Sequence, residues 1–256
     1  MKRSLIILLV VTGIAINAFA QKPDSTVKPA PKLGDAPSAL PSAKAVIDKY
    51  IAAIGGRDAL KDRRSRYQTG TIELSPMGLK GTVESFSRSD DRSLTKLNID
   101  GVGEILEGYD GTTAWTVNPI QGSRVKEGKE LLQTKRNSTF RRELDIDKTY
   151  SSLRVRGIEK VGDRDTYVVV ASSGSLPDDI MYFDTETGLM LRSDGVTITP
   201  EGEQAITSFF EDYRDVDGIK TAHKVRAKTP AFEIITLVTG IKYGVAMEDA
   251  IFSRPK

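Results

Sequence analysis

Between residues 43 and 54 the apolar side chains Val46, Ile47, Tyr50, Ile51 and Ile54 recur at helical spacing. Ser42 stands where an N-cap belongs, and Gly55-Gly56 supplies a stop. The spacing predicts a helix over 43–54 and a short second one over 57–63. After that the period changes. Segments 71–74, 81–88, 93–99, 103–109, 112–117, 154–159, 166–171, 180–184, 189–194, 205–213, 219–228 and 232–243 read as strands. Turn chemistry separates them: Asp110-Gly111, Thr185-Glu186-Thr187-Gly188 and Asp217-Gly218. Consecutive hairpins imply an antiparallel meander. The stretch 127–144 is polar, rich in Lys and Arg and made of helix formers, so one or two helices are expected between two strand groups. The predicted fold is mainly β with helices (α+β), a single antiparallel sheet of about eleven strands. Open sheets of that size curl. A curled sheet with helices across its concave face encloses an apolar hollow, a common kind of ligand site.

The N-terminus changes where such a domain has to work. Lys2 and Arg3 precede an apolar run over 5–16, which ends in Ala18-Phe19-Ala20 before Gln21. A basic start, a short apolar middle and small residues before the cut make residues 1–20 a signal peptide. The run is shorter than the roughly 20 residues a spanning helix needs. Residues 21–41 carry Pro23, Pro29, Pro31, Pro37 and Pro41 among polar residues and read as a flexible linker. A single domain is expected over 42–256. There is no cysteine, so no lipid-anchoring thiol, disulfide, thiolate nucleophile or Cys-based zinc site. The expected location is the periplasm. Two of the 37 basic residues fall in the leader, so the remaining chain balances its 35 acidic residues. A neutral chain without a long basic run argues against a nucleic-acid partner.

Motifs for chemistry are sparse. His223 is the sole histidine and shares a strand face with Ile219, Thr221 and Val225. A lone His builds no familiar metal site, and it reads first as structural. Ser172-Ser173-Gly174-Ser175 lacks the glycine spacing of a nucleophile elbow. Phosphate-binding glycine motifs are absent, and Gly101-Val102-Gly103 reads as a turn. Asp178-Asp179, Glu211-Asp212 and Asp215-Val216-Asp217 sit at strand ends, where Asp serves local hydrogen bonding. Arg63, Arg64 and Arg66, and again Lys135, Arg136, Arg141 and Arg142, cluster in sequence. Solvated surface is the first reading of both clusters; contact with lipid headgroups or an acidic partner is the alternative. No catalytic residue, metal or cofactor is assigned.

Several strings together resemble one family. They are Ala53-Ile54-Gly55-Gly56-Arg57-Asp58-Ala59-Leu60, Gly108-Tyr109-Asp110-Gly111-Thr112-Thr113-Ala114-Trp115, Tyr182-Phe183-Asp184 with Thr187-Gly188-Leu189, Phe210-Glu211-Asp212-Tyr213-Arg214-Asp215-Val216-Asp217-Gly218-Ile219-Lys220, and Ala250-Ile251-Phe252. In this order they are similar to the outer-membrane lipoprotein-sorting proteins of the LolA/LolB-like superfamily. The resemblance implies a half-open barrel with a helical lid, and a hollow that accepts lipoprotein acyl chains or another amphiphilic, lipid-like ligand without enzymatic chemistry. Partners would be that lipid, with envelope proteins or the membrane surface beside it. On size and strand placement the expected lining is Leu74, Met77, Leu79, Phe86 and Leu106 on the first strand group, Trp115 after them, and Phe183, Met190 and Phe209 on the second. A one-residue slip reverses such faces. Two other functions stay open: a protein-interaction module of envelope assembly with a self-filled core, and a hydrolase using His223 or an acidic pair.

Overall fold

The computed structural model describes residues 40–255. The expected signal peptide, and the linker apart from its last two residues, lie outside them.

Helix α1 (Ala43–Ala53) begins as its sequence dictates, with Ser42 Oγ accepting from Ala45 N at 3.2 Å. A short α2 (Gly56–Asp62) follows. The chain then lays down β1 (Ser65–Ser75), β2 (Leu79–Arg88), β3 (Ser93–Ile99), β4 (Gly103–Tyr109), β5 (Ala114–Asn118) and β6 (Gly122–Lys126). Helices α3 (Gly128–Asn137) and α4 (Ile146–Thr149) interrupt. Then come β7 (Ser152–Val161), β8 (Arg164–Ser172), β9 (Asp179–Asp184), β10 (Met190–Thr199), β11 (Gly202–Val216), β12 (Ile219–Lys228) and β13 (Glu233–Tyr243), and a 3-10 turn over Asp249–Phe252.

All thirteen strands form one antiparallel sheet, ordered β6-β5-β4-β3-β2-β1-β13-β12-β11-β10-β9-β8-β7. The sheet exceeds the expected eleven or so, and β6 falls in none of the twelve segments that read as strands. In addition β1 starts at Ser65, well before the expected 71.

This order explains the lid. The chain starts at the middle of the sheet, runs out to the β6 edge, and must next reach the β7 edge at the opposite end. Laid flat, twelve strand spacings of about 4.8 Å span roughly 58 Å. Residues 127–151 make that crossing, so the sheet curls until its edges come within their reach. Helix α3 touches both β5 and β10. Its Gln133, 2 % exposed, donates from Nε2 to Val196 O at 2.7 Å and accepts from Ile198 N at 2.9 Å through Oε1. Pairing of β10 with β9 stops at Asp194, so this side chain takes the place of the missing strand for two buried backbone groups.

The family-like strings turn out to build turns. Asp110 Oδ1 accepts from Thr112 N and Thr113 N, and Asp184 Oδ1 from Glu186 N and Thr187 N. At Gly108 a Cβ would lie 2.2 Å from the Trp115 ring, so the missing side chain lets the indole lie across the neighbouring strand.

Candidate functional site: a lidded cavity on the concave face

Strand alternation sorts the sheet into two faces. At one end of the concave face, α1 presses Val46, Ile47 and Ile51 onto Val169, Ala171, Met181 and Phe183. At the other end Ile72, Leu74, Val83, Leu97, Ile99, Ile105 and Ile234 form a second cluster, with Met77 and Leu79 packed beside it. Between the two, under the chain leaving α3, lies a cavity of about 290 Å3. Its floor includes Ile72, Val83, Val225 and Val238, and Leu60 and Phe140 add apolar surface. Tyr50, Ile54, Met190, Phe210 and Tyr213 also reach it, and beside them the wall is polar: Gln68, Ser85, Ser87, Ser93, Thr95 and Thr236 from the sheet, and Asn137, Ser138 and Thr139 from the lid. Arg63, Arg66, Arg141, Arg142 and Lys220 also line it, with Glu107 and Glu143. The hollow is therefore mixed in character, where the sequence led to an apolar one.

The lid is fastened on both sides. Towards β6, Arg124 holds Glu130 of α3 through two hydrogen bonds of 2.8 Å. Below them, Lys126 meets Glu107 at 3.2 Å, and burial pushes the Glu107 carboxyl up despite that partner. On the β9 side, Arg136 of α3 lies 3.1 Å from Asp179, and the Tyr150 hydroxyl donates to the same carboxylate. Arg136 and Asp179 are both buried. Desolvation pushes Asp179 up to about 7, although Arg136 pulls the other way. Ser138 Oγ meets Ser93 Oγ at 2.7 Å, and Phe140 N donates to Asp91 at 2.9 Å.

Of the side chains expected to line a hollow, Met190 lines this cavity. Leu74, Met77 and Leu79 belong to the filled cluster at one end of the same face, and Phe183 lies under α1 at the other. Phe86, Leu106 and Trp115 sit on the opposite, convex face with Leu94 and Phe252. There the indole Nε1 of Trp115 donates to Phe252 O at 2.8 Å, beneath the C-terminal segment. Phe209 is also on that face, between the guanidinium groups of Arg192 and Arg226. For three of these the displacement is one residue: Ser85 and Ser87 line the cavity beside Phe86, Glu107 beside Leu106, Phe210 beside Phe209, whereas no residue next to Trp115 reaches it. The convex face of β2–β5 is covered too, so large apolar residues do not mark the inside.

His223 is buried on the concave face, its Nδ1 2.9 Å from Thr221 O. The acidic pairs are engaged elsewhere: Glu211 with Arg226 and Lys224, Asp212 with Arg214, Asp215 with Gly218 N. Among the described residues no group of three or more His, Cys, Asp or Glu could hold a metal ion.

The arginines that sequence reasoning first took for solvated surface are the residues it missed. Arg63 and Arg66 come together with Arg141 and Arg142 at the cavity, while Arg64 stays exposed.

No family model matches the chain, and neither does any curated protein. Solved structures do match. A DUF1329 family protein from Desulfovibrio piger is 19% identical, with 82% of this chain and 97% of that one aligned at a TM-score of 0.56. A LolA superfamily protein from Nitrosomonas europaea is 13% identical over 84% and 99% of the two chains, also at 0.56. A domain from Vibrio parahaemolyticus described as an outer membrane lipoprotein-sorting protein is 12% identical over 82% and 97%, at 0.51. At these identities the likeness concerns the fold: one antiparallel sheet curled beneath a helical lid, the LolA/LolB-like half-barrel, is the fold of this protein.

Proposed function

We propose that the protein is a non-enzymatic binding protein or carrier of the cell envelope, holding an amphiphilic, acyl-bearing ligand between the concave face and the lid. The observation that carries this reading is the cavity itself. It stays open between two filled clusters, with Ile72, Val83, Val225 and Val238 on its floor. The fold it shares with a LolA superfamily protein and a lipoprotein-sorting domain supports the same reading. The signal-like leader supports work outside the cytoplasm.

Each methylene buried on that floor contributes about 0.8 kcal/mol, so micromolar affinity, about 8 kcal/mol, takes roughly ten of them before binding entropy is offset, and polar contacts to a headgroup have to supply part of it. About 290 Å3 lies at the small end of ligand pockets. As the lid stands it suits one acyl segment, and the several chains of a lipoprotein would require the lid to lift. The filled clusters at both ends are what the interaction-module reading expects, and the open volume between them favours the carrier.

A neutral apolar dye tests the proposal. Saturable binding is expected, weakened at least tenfold by Val83→Phe, which fills the floor, with the circular dichroism spectrum unchanged. A parent protein that binds no dye contradicts it.

A further inference from the structure

The cationic side of the cavity goes beyond a greasy hollow. Arg63 comes from the link between α2 and β1, Arg66 from β1, and Arg141 and Arg142 from the chain after α3. Among the described residues none of the four makes an ion pair, whereas Arg88, Arg124, Arg136, Arg164, Arg192 and Arg226 all do. Arg63 and Arg141 contact neutral groups instead. Arg63 donates to Asp217 O and lies over the Tyr243 ring at 4.7 Å, and Arg141 donates to Arg63 O at 2.9 Å. Of the two carboxylates in the wall, Glu107 is already held by Lys126. The Nε atoms of Arg63, Arg66 and Arg141 and Nη1 of Arg142 are shut off from solvent with no partner, as are both amide atoms of Asn137.

Charged donors hidden from water and left unpaired destabilise a fold. Four of them facing one cavity, each without a carboxylate, in a chain whose other buried and half-buried arginines each meet one, point to a group absent from the protein itself. Planar guanidinium forks suit an oxyanion. The apolar floor a few side chains away suits a tail.

We infer that the cavity takes an anionic amphiphile, whose phosphate or carboxylate headgroup lies among Arg63, Arg66, Arg141 and Arg142 and whose tail runs over Ile72, Val83 and Val238. This rests on the carrier reading and names the chemical class of its ligand. A charge-blind hollow would need no such cluster, and an anion site alone would need no apolar floor.

Calorimetric titration of the secreted chain with three probes separates the possibilities: dioctanoyl phosphatidylglycerol, dioctanoylglycerol with the same tails and no anion, and inorganic phosphate. The phospholipid is expected to bind at least tenfold more tightly than dioctanoylglycerol at about 0.1 M salt, with the preference shrinking as salt rises. The double variant Arg66→Gln/Arg142→Gln is expected to bring that ratio towards one, and Arg66→Lys to keep part of it. Arg154→Gln, an exposed site on β7, leaves it intact. Relief of unpaired charge means that the double variant does not lower the melting temperature of the unliganded protein. Equal affinity for both lipids overturns the anionic headgroup and leaves the carrier reading standing. Phosphate binding as tightly as the phospholipid overturns the amphiphile, and the carrier reading with it. Binding of none of the three overturns both.

Discussion

Asp179 sits where the lid is fastened, and its titration is readable from the structure. It opens β9 at 1 % exposure, facing Arg136 of α3, the Tyr150 hydroxyl and, further off, Arg142, with Asp178 beside it. Its Oδ1 is 3.1 Å from Arg136 but receives no well-aligned hydrogen bond, and Nε and Nη2 of Arg136 are unpartnered too. The Tyr150 hydroxyl on Asp179 and Ser173 on Arg136 leave the pair with fewer bonds than its desolvation calls for. Burial therefore wins, and the carboxyl rises to about 7 in the folded state. Unfolded, it ionises near 3.9. Between those values the native state holds a proton that the unfolded chain has lost. Stability from this group accordingly falls as pH rises from about 4 to about 7 and levels off above. Three pKa units correspond to on the order of 4 kcal/mol. Asp179→Asn removes the ionisation at constant shape. Urea unfolding followed by circular dichroism at pH 5, 6, 7 and 8 gives the difference between parent and variant, in which the other carboxylates cancel. The expected difference is about 1–2 kcal/mol at pH 5 and grows to about 4 kcal/mol in favour of the variant by pH 8. If Asp179→Asn instead loses about 3–5 kcal/mol at pH 8, the cost of breaking a buried ion pair, the pair is a net stabiliser and the desolvation argument is refuted.

Two further substitutions probe the lid and the opposite face. Gln133→Leu leaves Val196 O and Ile198 N buried and unpaired, at about 1–3 kcal/mol each. Faster hydrogen exchange across α3 is expected with it, and unchanged exchange contradicts the bridging role. Gly108→Ala places a Cβ against the Trp115 ring, so a loss of about 1–3 kcal/mol and red-shifted tryptophan emission are expected. Trp115 lies away from the cavity, so its emission is expected to stay constant when ligand binds the parent protein.

The fold was legible where local chemistry decides it. Helix α1, its Ser42 cap and the hairpin turns at Asp110-Gly111 and Asp217-Gly218 are written in adjacent residues. The start of β1 was not, because Arg66 and Gln68 face the cavity and, with Gly70 on the same face, interrupt the apolar alternation. Strand β6 was hidden for a similar reason: Arg124 and Lys126 turn inward to meet Glu130 and Glu107, and the outward Val125 is exposed. Phe86 and Leu106 were misplaced by one position because both faces of β2–β5 are covered, one by the lid and one by Phe252 and its neighbours. Nothing in a single strand says which cover is which. The arginine cluster was out of reach in another way. Its halves lie on either side of six strands, and only the crossing of residues 127–151 brings them together.

Native mass spectrometry of the protein isolated from its native host tests most directly whether the cavity is a ligand site. The expected spectrum carries an adduct with the mass of an acyl-bearing anion, lost from Val83→Phe. A bare chain, in spray conditions gentle enough to keep an added phospholipid bound, contradicts the carrier.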